Sequence, residues 1–291
     1  MTSKKFKLKD SLSLILETYK AWYGKDPFRL SAVIAYYAVL SLPGLLVIIV
    51  NIVGAIWGYE IVQGQLTSEI SNALGQDAAA AIQSMIVETQ NEKKSLVATA
   101  LGLLTLLYGA TGVFYHLQLS INEIWNLKPN PKSTFIKLLL DRARSFAFIM
   151  VVGFLLLISF IVTAAITALN DYLKSMLPEF VVYIAFLLDS IVSIGIITVL
   201  FALIFKYLPD TKIKWKSVWV GAIITAILFV LGKFLLSFYF GQANPGSTYG
   251  AAGTIVLILL WVSYSCLILF FGAQFTMVFA ARYGSNRRQL R

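Results

Sequence analysis

Several windows of roughly 20 residues in this chain pass without a single charged side chain, and that is the length a helix needs to cross about 30 Å of hydrocarbon. Soluble chains interrupt their apolar stretches with charge every few positions. At 291 residues the length would allow one or two soluble domains, but 58% hydrophobic residues against only 13% charged ones do not. The mean hydropathy is +0.79. A backbone in lipid must satisfy its own hydrogen bonds, so the expected fold is all-α: a polytopic membrane protein with six transmembrane helices and amphipathic interfacial helices.

The six spans are expected at 31–57, 95–119, 146–169, 180–205, 218–240 and 251–280. A secretory signal would put an apolar core directly after a short basic stretch. Here residues 4 to 29 mix Lys4, Lys5, Lys7, Lys9, Asp10 and Glu17 with scattered apolar positions, so the first span is expected to remain as an anchor. The domain plan is thus an interfacial helix at 1–30, a six-helix domain at 31–281 and a basic tail at 282–291. In the opening segment Leu8, Leu12, Ile15, Leu16, Tyr19, Trp22 and Tyr23 recur at helical spacing, opposite Lys9, Asp10, Glu17 and Lys20. Such a helix lies on the membrane surface, packs on the protein's own cytoplasmic face, or does both. Residues 59–94 form the one long polar stretch, which divides at Gly75 into two amphipathic pieces, with Asp77 placed to cap the second and Ala78, Ala81, Ile82, Met85 and Ile86 on one stripe. They read as a hairpin on the outer face, either a lid or a simple cover.

The charge of +10 raises the question of nucleic acid, and its distribution answers it. Twenty basic residues fall in the segments on one side of the six spans, among them Lys25, Arg29, Lys128, Arg144, Lys206, Lys214, Arg282 and Arg288. Only Lys93, Lys94 and Lys174 fall on the other. This asymmetry places both termini in the cytoplasm of a multi-pass membrane protein and accounts for the charge without a nucleic-acid partner. Trp22, Trp125, Trp215 and Trp219 near the inner interface, with Trp57, Tyr59, Tyr172 and Tyr239 near the outer one, agree with it. The halves 31–169 and 180–280 have the opposite orientations that inverted repeats require, without a convincing match between them.

Ionisable and polar groups inside spans are the pointers to function. Asp189 in the fourth span and Lys233 in the fifth each lie about 12 to 15 Å from the outer end of their helix at 1.5 Å per residue. They are candidates for a structural ion pair or for a substrate or proton site. A second group closes the second span: Tyr108, Tyr115, His116, Gln118, Ser120, Asn122 and Glu123, beside Gly102, Gly109 and Gly112. Small residues permit close helix approach while the polar ones need water or each other, so a cavity open to the cytoplasm and a hydrogen-bonded helix end are both consistent with it. Pro43 should kink the first span, as in a gate or simply as in many membrane helices. Gln274 in the last span is a buried polar group able to bond across helices, and GQANPGSTYG at 241–250 marks a tight outer turn. Cys266 has no second cysteine to pair with. With one histidine, no paired acids, no metal-ligand spacing, no phosphate loop and no nucleophile elbow, neither a catalytic residue, a metal nor a cofactor is expected.

Four stretches carry a family resemblance: AYYAVLSLPGLL at 35–46, LSINEIWNLKP at 119–129, KYLPDTKIKWKSVWVGA at 206–222 and STYGAAGTIVLILLWVSYSCLILFFGAQF at 247–275. Through them the chain resembles the YihY/BrkB membrane proteins, some of which bear the label ribonuclease BN, over most of the sequence from Asp26 to Tyr283. The resemblance implies a six-helix inner-membrane protein, with envelope functions and transport of lipid-like substrates proposed among its members. Such proteins often show an acid in the last motif, as in GAE, where this chain has Gln274, which weakens any proton-coupled role there. The leading expectation is a permease or flippase-like transporter whose partners are membrane lipids and a small or amphipathic substrate. The alternative is a non-transporting envelope scaffold or assembly factor; a ribonuclease lacks the residues it would need.

Overall fold

The computed structural model describes residues 10–41, 58–74, 76, 79–80, 82–84, 87, 96–127, 179–211, 213–243 and 253–283, and among them every regular element is an α-helix. In chain order these are α1 (Ser11–Tyr23), α2 (Pro27–Ser41), α3 (Tyr59–Leu74), α4 (Leu96–Ile124), α5 (Glu179–Tyr207), α6 (Trp215–Ala243) and α7 (Gly253–Tyr283). Among the described residues two helical segments are long and apolar enough to cross a membrane, Trp215–Phe240 and Ile255–Tyr283, and they coincide with the spans expected at 218–240 and 251–280. Shorter apolar stretches, Pro27–Ser41 and Ile191–Tyr207, overlap the spans expected at 31–57 and 180–205. The 29-residue α4 covers the span at 95–119, while the one at 146–169, like Pro43, lies outside the described residues. In both long segments only 33% of the most apolar window is buried. A core helix of a soluble protein would be mostly enclosed, whereas α6 leaves Ile223, Ile227, Leu231, Phe234, Leu235 and Phe238 exposed, as a lipid-facing helix does.

Local chemistry explains where the helices stop. After Tyr23 the chain turns through Gly24, whose N–H donates to Lys20 O at 3.1 Å, and Asp26 takes a left-handed φ of 50°. Pro27 then starts α2, where its missing N–H costs nothing, and the Asp26 carboxylate meets Arg29 at 3.2 Å. At the far end of α4, Asn126 (φ 55°) reverses the chain and Leu127 N–H donates to Asn122 O at 2.8 Å, a C-terminal cap. In the polar stretch α3 is described to Leu74, and Gln76, Ala79, Ala80, Ile82, Gln83, Ser84 and Val87 are also helical.

The chain divides into two compact units, one from Met1–Lys25, Ile121–Val230 and Leu269–Arg291, the other from Asp26–Ser120 and Leu231–Ile268. In the first, every residue from Gly272 to Ala280 is buried. Leu14 of α1 packs with Phe275, Val278 and Phe279 of α7 and with Val220 and Ile224 of α6. Polar ties hold the same helices: Arg282 Nη1 donates to Ser13 Oγ at 3.0 Å and Tyr283 Oη to Asp10 Oδ2 at 3.1 Å. Thus α1 buries Leu14 and Thr18 against the protein while Leu12, Leu16, Tyr19 and Tyr23 stay exposed.

Small residues let α6 and α7 meet backbone to backbone. Gly221 faces Thr276, and Thr225 faces Gly272, so the pairs run antiparallel and each glycine receives the other helix's threonine. Each threonine also donates to the carbonyl of its own helix's glycine one turn back, Thr225 to Gly221 at 2.7 Å and Thr276 to Gly272 at 2.8 Å. Both hydroxyls are thereby satisfied without spanning the interface. Where lipid surrounds helices, burying apolar area no longer drives their association, and close van der Waals contact of this kind does.

In the second unit Ile82, Phe240, Leu257 and Ile258 form a core, with Val39, Leu66, Ile70, Leu236 and Trp261 packed on it. The apolar sides of α3 and of the helical positions after it therefore rest on the unit's own helices. Their other sides remain open.

Candidate functional site

The second unit gathers aromatic and polar side chains where α2 meets α4. Two glycines of α4 make the meeting close: a Cβ on Gly109 would lie 2.8 Å from Ser41 N, and one on Gly112 would overlap the Tyr37 ring. Held over Gly112, Tyr37 stacks on His116 with centroids 4.8 Å apart and planes at 22°. Around this pair stand Tyr108 at 5.8 Å from Tyr37, Tyr36 edge-on at 5.4 Å, and Tyr115 edge-on to His116, also at 5.4 Å. The stacked pair is half-buried, whereas Tyr36 is 58%, Tyr108 62% and Tyr115 39% exposed. Along their helices Tyr37 lies about 15 Å from Pro27 and His116 about 12 Å from Ile124 at 1.5 Å per residue. Tyr108 and Tyr115 therefore stand exposed on a largely apolar helix, at least about 13 Å from its Ile124 end, whereas Tyr ordinarily seeks an interface or a partner.

Of the residues expected at the inner end of the second span, the fold brings Tyr108, Tyr115 and His116 together, with Gln118 half-buried a turn on. Asn122 does something else. In the first unit its Nδ2 donates to Asp210 Oδ2 at 2.8 Å while its Oδ1 accepts from Asp210 N–H at 3.0 Å, a two-bond bracket between segments 88 positions apart. Glu123 beside it is exposed. Next to this bracket Trp125, 1% exposed, donates Nε1–H to Ala273 O of α7 at 2.9 Å, and Lys25 Nζ donates to Asn126 Oδ1 at 2.5 Å. Lys206 reaches the Ile213 carbonyl and lies 5.5 Å from the centre of the Trp215 ring. Tyr36, Tyr37 and Asp210 are the members that residue-by-residue reading overlooked. The adjacent tyrosines of the AYY motif, facing the Gly109 and Gly112 pair, were the available signal for the first two.

Lys233 sits on α6 in an exposed position flanked by exposed Leu231, Phe234 and Leu235. Asp189 is a helical residue of α5, and its side chain, with the question of an ion pair to Lys233, lies outside the described residues. Gln274, 3% exposed, donates from Nε2 to Met277 Sδ of its own helix at 3.6 Å, and its Oε1 is buried without a hydrogen-bond partner among the described residues. Cys266 is a free, buried thiol. Among the described residues no three His, Cys, Asp or Glu side chains gather as metal ligands would.

A wider opening lies in the second unit beside α3, a cleft of about 410 Å³ whose floor includes Ala79 and Ala80.

Comparison with known proteins agrees with the architecture. A UPF0761 membrane protein of Mannheimia succiniciproducens is 26% identical over 250 residues, 84% of this chain and 82% of its own length. One from Vibrio vulnificus is 26% identical over 260 residues, covering 86% and 76%, and one from Haemophilus influenzae 24% over 248 residues, covering 84% and 87%. No solved structure matches the chain. The family model described as Virulence factor BrkB matches residues 18–291, nearly the whole sequence, and this protein therefore belongs to the YihY/BrkB family of membrane proteins.

Proposed function

We propose that this protein is a multi-pass permease of the bacterial inner membrane, with six spans and both termini in the cytoplasm, that moves an amphipathic, lipid-like molecule without catalysing a chemical reaction. The observation that carries the reading is the outward-facing cluster of Tyr36, Tyr108 and Tyr115 around the Tyr37–His116 stack. A polar group crossing hydrocarbon costs several kcal/mol unless donors and acceptors accompany it, and phenol hydroxyls on a membrane-facing surface supply both. An acyl chain can stay in lipid meanwhile. Lys233, exposed among apolar neighbours on α6, adds a cation that can reach toward the interface and draw an anionic headgroup. The 20-to-three distribution of basic residues supports the topology, and the exposed apolar side of α1 supports its lying in the inner interface.

The test is water accessibility of single cysteines at Tyr115, Asp189 and Lys233, introduced one at a time into a Cys266→Ala background in intact membranes. Labelling by a membrane-impermeant maleimide at all three positions is expected. Blocked labelling at every position would mean a packed bundle, end the transport reading and turn attention to a scaffold that binds envelope partners.

A further inference from the structure

The turn that joins α5 to α6 holds a lysine that no carboxylate neutralises among the described residues. Lys206 lies half-buried in the last turn of α5, where its ammonium donates to the Ile213 carbonyl and stands 5.5 Å from the centre of the Trp215 ring. These contacts hold the cation in place without cancelling its charge, and it forms no ion pair with a described acid. Asp210, the acid of the same turn, is bracketed by Asn122. The carbonyl takes one of the three N–H donors of the ammonium and leaves the others for an anion.

The surface beside Lys206 is aromatic. Tyr207 meets Trp215 edge-on at 6.2 Å, Trp219 tilts against Trp215 at 6.3 Å, and all three rings are exposed. From there one face of α6 continues: Lys216, Trp219, Ile223 and Ile227 recur at i, i+3, i+7 and i+11, and each is exposed. At 1.5 Å per residue this stripe runs for about 16 Å, close to the depth of one leaflet in a hydrocarbon core of roughly 30 Å. Trp215 opens the membrane-length segment Trp215–Phe240. With α6 crossing from there, Lys206 and Lys216 stand at the level of the headgroups, and Ile223 and Ile227 at the level of the acyl chains.

Charge at one end and apolar surface along the rest match a molecule that is negative at its head and carries a chain. A zwitterionic headgroup would bring its own cation against the two lysines, and a free phosphate would leave the stripe unused. We propose that this surface binds one anionic phospholipid of the leaflet at that end of the helices, its phosphate against Lys206 and Lys216 and an acyl chain along Trp219, Ile223 and Ile227. Every residue of the site belongs to the first unit, and the inference does not rest on the transport reading.

The experiment uses the full-length protein in neutral maltoside micelles, with native mass spectrometry counting the lipid retained as dioleoyl phosphatidylglycerol or dioleoyl phosphatidylcholine is added. Phosphatidylglycerol should be retained roughly tenfold more tightly. Lys206→Gln and Lys216→Gln should each weaken that retention about fivefold and leave phosphatidylcholine unaffected. Lys20→Gln removes the same charge from an exposed position on α1 and should change neither. Lys216 has no side-chain contact to lose among the described residues, so its variant decides the matter even where loss of the Ile213 bond unfolds Lys206→Gln. Incubation with millimolar inorganic phosphate should not lower the retention; displacement by phosphate would make the ligand a free anion and overturn the lipid assignment. Equal retention of the two lipids, retention unmoved by Lys216→Gln, or an equal loss in Lys20→Gln overturns it as well.

Discussion

Substituting Gly272 by alanine sets two effects of known sign against each other. Replacing glycine inside a helix is worth about 0.5–1 kcal/mol in backbone entropy. Against that, the new Cβ would overlap Thr225 Oγ1 and lie 2.8 Å from both Cβ and Cγ2 of that threonine. Comfortable carbon contacts are about 3.5–4.0 Å, so α6 and α7 would have to part by about 1 Å, enough to forfeit a quarter to a half of each contact's attraction. Thr225 cannot step aside cheaply, because it is fully buried and its hydroxyl is held on Gly221 O at 2.7 Å. Overpacking of this kind costs about 1–3 kcal/mol, so the clash outweighs the propensity gain and the net change should be a loss of about 1–2 kcal/mol. Gly221→Ala should behave alike, since its Cβ would overlap Thr276 Oγ1 and lie 2.9 Å from Thr276 Cβ. Gly195 is the control: it sits exposed in α5 with nothing within 4 Å of an added Cβ, so Gly195→Ala should leave stability unchanged or raise it. Reversible unfolding in mixed micelles with increasing dodecyl sulfate, followed by tryptophan fluorescence, measures all three. In the double variant Gly272→Ala with Thr225→Gly, the clash is relieved and the two changes should be clearly non-additive. Equal stability of Gly272→Ala and Gly195→Ala would refute the interlocked packing of α6 on α7.

The same unfolding measurement checks two further expectations. Trp125→Phe keeps most of the buried ring but removes the bond to Ala273 O, and should cost about 1 kcal/mol, whereas Trp125→Ala, which also leaves a cavity, should cost about 3–5; equal losses would mean that the indole packing contributes nothing. Asn122→Asp puts a second carboxylate where a donor now lies 2.8 Å from Asp210 Oδ2, replacing an attraction by a like-charge repulsion that should lower stability. The loss should shrink as added salt screens the two charges, and Asn122→Asp as stable as the wild type at low salt would show that the bracket does not bring the two side chains together.

Much of the architecture could be read before any coordinates. The division expected at Gly75 lies outside the described residues, although α3 itself falls in the polar stretch where local patterning put a helix. The last two spans were legible for the same local reason: lipid admits no charge over about 20 residues, and neither α6 nor α7 can be anything but a helix there. Gly109 and Gly112 announced that some helix comes close, and Tyr108, Tyr115 and His116 announced that polar chemistry collects beside them. What stands opposite was not legible. Tyr37 and Ser41 face those glycines, and Asp210 faces Asn122 from 88 positions away, through contacts that no periodicity encodes.

Gln274 shows the limit from the other side. Its burial followed from its place in the last span, but its bond goes to Met277 one turn on in α7 and its carbonyl oxygen stays unpartnered among the described residues, where a bond across helices was the natural expectation. By itself, then, the sequence determined that the chain is helical, that it belongs in a membrane and which of its residues are small or polar, because those properties follow from the solvent and from one helix at a time. Tertiary structure alone decided that Gly221 and Gly272 receive Thr276 and Thr225, that Tyr37 lies on His116 and that a cleft stays open beside α3. The pairing of faces depends on how two surfaces fit together, and fit is a property of neither helix separately.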